Sequence, residues 1–95
     1  MADRPEERKK AVAIRYDRKV DGAPKVVAKG AGLVADNILA AARQTAVPVY
    51  KNKTLTTMLM AVELDREIPP ELYQAVAEVL AYVYRLDKSR GPGRG

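Results

Sequence analysis

The sequence has no cysteine, no histidine, no tryptophan and no phenylalanine. Without cysteine the chain cannot form a disulfide, a thiolate metal site or a cysteine nucleophile. Without histidine it also lacks the commonest general base and the commonest ligand of transition metals. The remaining acid–base groups are carboxylates, lysines and tyrosines, and no convincing nucleophile stands beside them. We therefore expect no enzyme activity, no cofactor and no metal site.

Long hydrophobic runs are missing as well. No apolar stretch approaches the ~18–20 residues that a membrane-spanning helix needs. The N-terminus is charged and lacks the apolar core of a signal peptide. These absences predict a soluble, cytoplasmic protein.

The composition is that of a small, basic, folded domain. The chain has 95 residues, 47% of them hydrophobic, and a net charge of +5. A basic balance suits an acidic partner, an anionic membrane surface or nucleic acid, although solvated charge that keeps a small domain soluble is the simpler explanation. A small basic nucleic-acid-binding domain stays an alternative. Specific nucleic-acid recognition is disfavoured, because Tyr73, Tyr82 and Tyr84 lie in an apolar segment rather than among basic residues.

Three short segments have the pattern of β-strands. Residues 11–16 alternate, which places Val12, Ile14 and Tyr16 on one face. Residues 25–29 form a second strand after a turn that contains an Asp-Gly pair, so the two can make an antiparallel hairpin. Residues 47–50 predict a third strand at a sheet edge, since a proline there cannot donate to a ladder. A helix between the second and third strands implies a parallel crossover.

Helical patterns fill the rest of the chain. A helix of about 14 residues follows residue 32, with an apolar stripe of Val34, Ile38, Ala41 and Ala42, widened by Leu39. Thr54 is a plausible N-cap for a helix that reaches about residue 64. The last helix opens at Pro69-Pro70-Glu71 and is apolar nearly all round over residues 72–86.

These elements predict an α/β fold with a small mixed β-sheet of about three to four strands, packed by about three to four helices. The expected organisation is a flexible charged leader at 1–9, one domain at 10–87 and a disordered basic tail at 88–95. Whether residues 1–9 supply a further strand stays open. A sheet this thin leaves an open edge.

Two local patterns suggest chemistry that the rest of the chain does not support. Residues 30–35 match G-x-G-x-x-A between a strand and a helix, as in dinucleotide-binding proteins. The acidic residue expected about 20 positions later is absent, and 95 residues are too few for both halves of that fold. The glycines are better explained by a tight strand-to-helix turn. The cluster of Glu63, Asp65 and Glu67 is typical of a solvated loop.

Two blocks of sequence carry a resemblance to a known family. The first block comprises Ala11-Val12-Ala13-Ile14-Arg15-Tyr16-Asp17 and Ala23-Pro24-Lys25-Val26-Val27-Ala28-Lys29-Gly30-Ala31-Gly32; the second comprises Ile68-Pro69-Pro70-Glu71-Leu72-Tyr73 and Ala75-Val76-Ala77-Glu78-Val79-Leu80-Ala81. Together they resemble the cytoplasmic domain of FlhB, the substrate-specificity switch of the flagellar type III export apparatus. The chain looks most like the short stand-alone homologues of that domain.

The resemblance fails at the family's self-cleavage motif. The family carries Asn-Pro-Thr-His before the first block, where this sequence has Glu6, Glu7, Arg8 and Lys9. The family breaks the Asn-Pro bond by cyclisation of the Asn side chain, and no Asn-Pro pair occurs anywhere in this chain. We therefore expect a non-cleaving homologue in which these four positions form a degenerate motif.

The resemblance also implies a binding site and partners. The family binds rod- and hook-type export substrates through a shallow hydrophobic patch, which falls here on Ala23 and Pro24 in the turn and on Ala77 and Leu80 in the last helix. Ala77 and Leu80 share a helix face, and ordinary core packing explains them equally well.

The implied partners are the flagellar export gate proteins, namely the membrane half of the switch protein and the cytoplasmic domain of the FlhA export protein. Membrane association would come only through such partners. The chain would serve as an accessory that replaces the switch protein's C-terminal fragment, or as a regulator that competes with it.

Overall fold

The computed structural model of the protein describes residues 9–17 and 19–89, the side chains of residues 86–89 excepted. The described part contains a two-stranded sheet and three α-helices. Their order is β1 (Lys10–Arg15), β2 (Lys25–Ala31), α1 (Leu33–Gln44), α2 (Lys53–Leu59) and α3 (Tyr73–Ser89), with a 3₁₀ turn at Pro70–Leu72 directly before α3. The α/β class predicted from the sequence is confirmed.

The two strands form the predicted antiparallel hairpin. Lys10 pairs with Ala31 at one end, and Arg15 pairs with Lys25 at the other. The register shifts between Ala13 and Ile14, because Val27 is an extra residue in β2 without a partner in β1. Such a bulge increases the local twist of a hairpin. Among the described residues no strand pairs with the second edge of β1.

The predicted third strand at residues 47–50 is wrong, and so is the parallel crossover that depended on it. This segment has neither helical nor strand structure. Its first amide is already used, since the Val47 N–H donates to the Ala42 carbonyl at 2.9 Å and closes the end of α1. Pro48 has no N–H to donate to a ladder. This segment therefore has the composition of a strand but pairs with no strand among the described residues.

A different segment, residues 65–68, lies along the start of β2. Lys25 and Glu67 form an isolated antiparallel bridge. The Asp65 N–H donates to the Val26 carbonyl at 2.7 Å, and the Ile68 N–H donates to the Pro24 carbonyl at 2.8 Å. These bonds cover the outer edge of β2 near its beginning, so the sheet is extended by a turn segment rather than by a strand.

Helix α1 has the predicted position but is rotated relative to the predicted stripe. Ala35 is fully buried, whereas Val34 and Ala41 are exposed. Ala35, Ile38, Leu39 and Ala42 follow the i, i+3, i+4, i+7 spacing of the less exposed face. The helix contacts both strands, and Ala11, which alternation places opposite Val12, is buried. Helix α1 therefore covers one face of the hairpin.

The core lies on the other face of the hairpin. Its buried members come from β2, α2, the 65–68 segment and α3; they are Val26, Leu55, Leu59, Ile68 and Val76. Val12 and Ile14 of β1, predicted to share a face, both pack against this cluster. Tyr16, predicted on the same face, lies beyond the end of β1 and is exposed. Burial of such aliphatic side chains contributes about 1.5–3 kcal/mol each. The hairpin is thus covered on both faces by helices.

Helix α2 begins and ends differently from the prediction. Its N-cap is Asn52, whose Oδ1 accepts a hydrogen bond from the Leu55 N–H at 3.0 Å. Thr54, predicted as the cap, lies inside the first turn. The helix ends at Leu59 rather than near residue 64, and the chain continues through tight turns to Asp65, which has a positive φ of 64°.

Helix α3 continues to Ser89, and residues 90–95 lie outside the described residues. Most of the predicted leader, residues 1–8, lies outside them as well. The predicted domain boundaries therefore stay a prediction.

Candidate functional site

The turn between β1 and β2 is built around a buried carboxylate. Asp21 accepts the backbone N–H of Asp17 at 2.9 Å and the Nη2 of Arg15 at 3.0 Å. Its side chain is 1% exposed. The hydrogen bond from Asp17, followed by that from Arg15, lowers the pKa of Asp21 below its ordinary value. The same ion pair raises the pKa of Arg15. Asp21 therefore fixes the conformation of the turn as an ionised group.

This turn delivers the first two residues of the predicted substrate patch. Ala23 is buried, with 4% of its surface exposed, and Pro24 is half-buried. The Pro24 carbonyl accepts the Ile68 N–H at 2.8 Å, which attaches the turn to the core. Ala23 therefore lies below the protein surface, and Pro24 remains partly accessible to solvent.

Helix α3 delivers the other two residues. Val76 is buried in the core, and Leu80 is half-buried and packs against the same cluster. Ala77 is exposed. The turn and the helix that carry the predicted patch both contact Ile68. The Ile68 N–H donates to the Pro24 carbonyl, and the Ile68 side chain belongs to the same core cluster as Val76. The patch at Ala23, Pro24, Ala77 and Leu80 stays a prediction, with Ala77 as its most accessible member.

The degenerate cleavage positions are only partly described. Glu6, Glu7 and Arg8 lie outside the described residues. Lys9 is described, and its Nζ lies 2.9 Å from the Asp36 Oδ1 of α1. Its carbonyl accepts the Gly32 N–H at 2.8 Å. Lys9 therefore anchors the start of β1 to the beginning of α1.

The glycine motif has a structural explanation in the backbone. Gly32 has φ 59° and ψ −125°, a conformation that residues with a Cβ rarely adopt. A Cβ at Gly30 would collide with the side chain of Val34. Gly32 thus agrees with the predicted tight turn into α1, whereas Gly30 lies in β2 and is required there by close packing against Val34.

The acidic cluster forms no metal site. Glu63, Asp65 and Glu67 line a shallow, open depression with Lys25 and Arg66. Within residues 9–17 and 19–89, no group of three or more Asp or Glu side chains is placed to hold a metal ion. No helix of that part is long and apolar enough to cross a membrane.

One contact was missed by the sequence interpretation. Tyr50, between α1 and α2, meets Tyr82 of α3 in a T-shaped arrangement with ring centroids 5.1 Å apart. Both rings stay partly exposed, at 40% and 37%. The tyrosines themselves were the sequence feature that could have indicated this contact, because aromatic rings from different elements often pack against each other.

These features define a small α/β domain in which a β-hairpin, covered by helices on both faces, presents a rigid turn and an exposed helix face. Comparison with known proteins identifies the family. Residues 8–83 match the family described as the FlhB HrpN YscU SpaS family. The chain belongs to this family.

Individual relatives agree with this assignment. The chain is 43% identical over 81 residues to the uncharacterized protein YlqH of Bacillus subtilis, covering 85% of this chain and 87% of YlqH. It is 45% identical over 74 residues to the flagellar biosynthetic protein FlhB of Aquifex aeolicus, covering 77% of this chain. The match spans only 21% of that FlhB.

A solved structure confirms the fold. The crystal structure of the cytoplasmic domain of FlhB from Shewanella putrefaciens superimposes with a TM-score of 0.76 at 41% identity. The superposition covers 79% of this chain and 63% of that structure. The resemblance drawn from the two sequence blocks is therefore confirmed.

Proposed function

We propose that this chain is a non-enzymatic component of the flagellar type III protein export apparatus that binds export substrates and gate components in the cytoplasm. The observation that carries the proposal is the family match over residues 8–83 together with the FlhB-type fold. The chain spans about a fifth of the FlhB relatives that it matches. The proposal therefore concerns what an FlhB-type cytoplasmic domain does, not what a whole FlhB does.

Substrate binding would use the patch of Pro24, Ala77 and Leu80, with Ala23 beneath it. The exposure of Ala77 beside the half-buried Leu80 supports this, because a partner can cover them without opening the core. The expected ligands are rod- and hook-type export substrates.

A charge at the centre of the patch tests this assignment. Ala77→Asp should weaken binding of a purified rod or hook protein by about tenfold or more, because an unpaired carboxylate would be desolvated in the interface. Ala41→Asp is the matched control, since Ala41 is also an exposed helical alanine and lies on α1. Equal binding by both folded variants would remove the patch from the proposal.

Gate binding would use the free edge of β1. Among the described residues that edge has no partner strand, and an extended segment from another protein can pair with such an edge by β-augmentation. The expected donor is the membrane half of a switch protein, and the cytoplasmic domain of the FlhA export protein is a further expected partner.

Co-purification distinguishes replacement of the C-terminal fragment from competition with it. The chain is mixed with the host's switch protein truncated at the Asn of its cleavage motif. Stable association, together with restored export, supports replacement. Association that instead displaces an intact C-terminal fragment and blocks export supports a competing regulator. If neither the truncated half nor any substrate binds, the export function is wrong.

Self-cleavage is not expected. Asn37 precedes Ile38 and Asn52 precedes Lys53, so no Asn-Pro bond is available for cyclisation. Intact mass spectrometry after prolonged incubation should show the full-length mass alone. A spontaneous fragment that maps to a bond near residue 9 would contradict this.

A further inference from the structure

The connection between α1 and α2, residues 47–51, exposes apolar side chains in succession. Val47 is 55% exposed, Val49 46% and Tyr50 40%. These side chains leave apolar surface uncovered along the segment. Contiguous exposed apolar surface of this kind commonly marks an interaction site.

The backbone of this segment is available as well. The N–H groups of Val49, Tyr50 and Lys51 make no backbone hydrogen bond to any described residue. Pro48 restricts Val47 to extended conformations, and Asn52 at the other end is extended, with φ −155° and ψ 98°. A partner strand would therefore find N–H donors that bond to no described backbone carbonyl.

The chain before and after the segment is basic and has no acidic residue. From Asn37 to Val62 the chain has no Asp and no Glu, but it has Arg43, Lys51 and Lys53. All three basic residues are exposed, and none makes a salt bridge to another described residue. This is a local concentration of unpaired positive charge beside apolar surface.

Contact with α3 holds the segment in place. The T-shaped pair of Tyr50 and Tyr82 fixes the middle of the segment against the helix. Arg85 follows Tyr82 by one helical turn and adds a cation, whereas Glu78 precedes it by one turn and is the acidic neighbour on that side. On the α3 side the charges of Arg85 and Glu78 offset each other, whereas Lys51 and Lys53 have no acidic neighbour along the chain.

We infer that residues 47–51 are a docking site for an extended, acidic and apolar polypeptide segment of a partner protein. The partner's backbone pairs with the N–H groups of Val49 and Lys51, which point to the same side of an extended segment. Its apolar side chains cover Val47 and Val49, and its carboxylates meet Lys51 and Lys53. The proposal does not depend on the export function.

The probe is a short fluorescent peptide of alternating Glu and Val, with a Lys and Val peptide and a single-stranded DNA oligonucleotide as comparisons. The Glu and Val peptide should bind, and its affinity should fall as salt rises. Amide hydrogen exchange at Val49 and Lys51 should slow in the complex, because those N–H groups gain partners.

Charge variants test the electrostatic part. Lys51→Glu should weaken peptide binding about fivefold or more, since an attraction becomes a repulsion. Lys19→Glu changes the net charge by the same amount at an exposed turn position and should leave binding unchanged. Glu78→Gln should strengthen binding slightly, because it removes the acidic neighbour of Tyr82.

Four results would overturn the inference. The first is no saturable binding of the Glu and Val peptide, and the second is binding without slower exchange at Val49 and Lys51. The third is an equal loss of binding in Lys51→Glu and Lys19→Glu. The fourth is tighter binding of the oligonucleotide, which would assign the basic surface to nucleic acid. Failure here is distinguishable from failure of the export proposal, because the peptide assay uses neither a rod or hook protein nor a switch protein.

Discussion

The ammonium group of Lys29 on β2 donates a hydrogen bond to the carbonyl of Met60 at 2.8 Å, just beyond the end of α2. The same Nζ donates to the carbonyl of Val62 at 2.7 Å. A cation at this position satisfies carbonyls that a helix end leaves without an intrahelical partner, and it complements the negative end of the helix dipole. Lys29 thus joins the hairpin to the turn that leads into residues 65–68.

Replacing Lys29 tests this link. Lys29→Met keeps the apolar stem of the side chain but removes both hydrogen bonds, so we expect a loss of about 1–3 kcal/mol in the free energy of unfolding. Urea denaturation followed by circular dichroism measures it. Lys19→Met, at an exposed turn position, should change stability by less than about 0.5 kcal/mol. Equal effects of the two variants would show that Lys29 is not a structural link.

The Asp21 carboxylate should make stability depend on pH. Hydrogen bonds from Asp17 and Arg15 lower the pKa of Asp21 in the folded state, relative to about 3.9 in the unfolded chain. The folded state is then favoured above the unfolded pKa, and this contribution is lost as the pH falls through the folded pKa.

Asp21→Asn should therefore have a lower urea midpoint than the wild type at neutral pH. The difference in urea midpoint between the two proteins should become smaller at acidic pH, where the wild-type carboxylate is protonated and, like the amide, uncharged. Urea titrations at a series of pH values measure both effects, and a difference that stays constant from neutral to acidic pH would contradict the role of the ionised group.

The N-cap of α2 offers a matched comparison. Asn52→Ala removes the side-chain acceptor of the Leu55 N–H and should cost about 1 kcal/mol of stability. Thr54→Ala lies two residues away and removes no capping bond, so its effect should be smaller. If Thr54→Ala is the more destabilising variant in chemical denaturation, the cap lies where the sequence predicted it and not at Asn52.

Gly32 should be intolerant of any side chain. Its φ of 59° and ψ of −125° make Gly32→Ala destabilising by about 1–3 kcal/mol, since the backbone must be strained or must move. Gly22→Ala is the control, because a Cβ there meets its nearest neighbour, Glu67, at an ordinary 3.6 Å. Thermal unfolding of both variants checks the prediction. Equal melting temperatures would mean that the turn into α1 relaxes without strain.

Local sequence was sufficient for the positions of most elements. The alternation at residues 11–16 and the Asp-Gly pair before Pro24 specify a hairpin, because turn chemistry and side-chain period act within a few residues. Glycine before α1 and the two prolines before α3 likewise mark helix beginnings. The two sequence blocks were also specific enough to indicate the family.

The sequence did not show which segments, distant along the chain, lie beside each other in the fold. Residues 47–50 have the composition of a strand, but residues 65–68 take the edge of β2 because the 60–65 turns bring their amides to Val26 and Pro24. The rotation of α1 toward Ala35 likewise depends on the surface that the hairpin offers, since an alanine-rich helix has several nearly equivalent apolar faces.

The sequence by itself determined the kind of protein: an aliphatic, basic α/β domain of the FlhB type. These properties follow from residue identity and from backbone preferences over short distances. Only the tertiary structure decided that Lys29 reaches Met60, that Tyr50 meets Tyr82 and that Ala77 faces solvent. Each of these contacts joins or orients separate elements, and their geometry is fixed by packing of the whole core rather than by any local pattern.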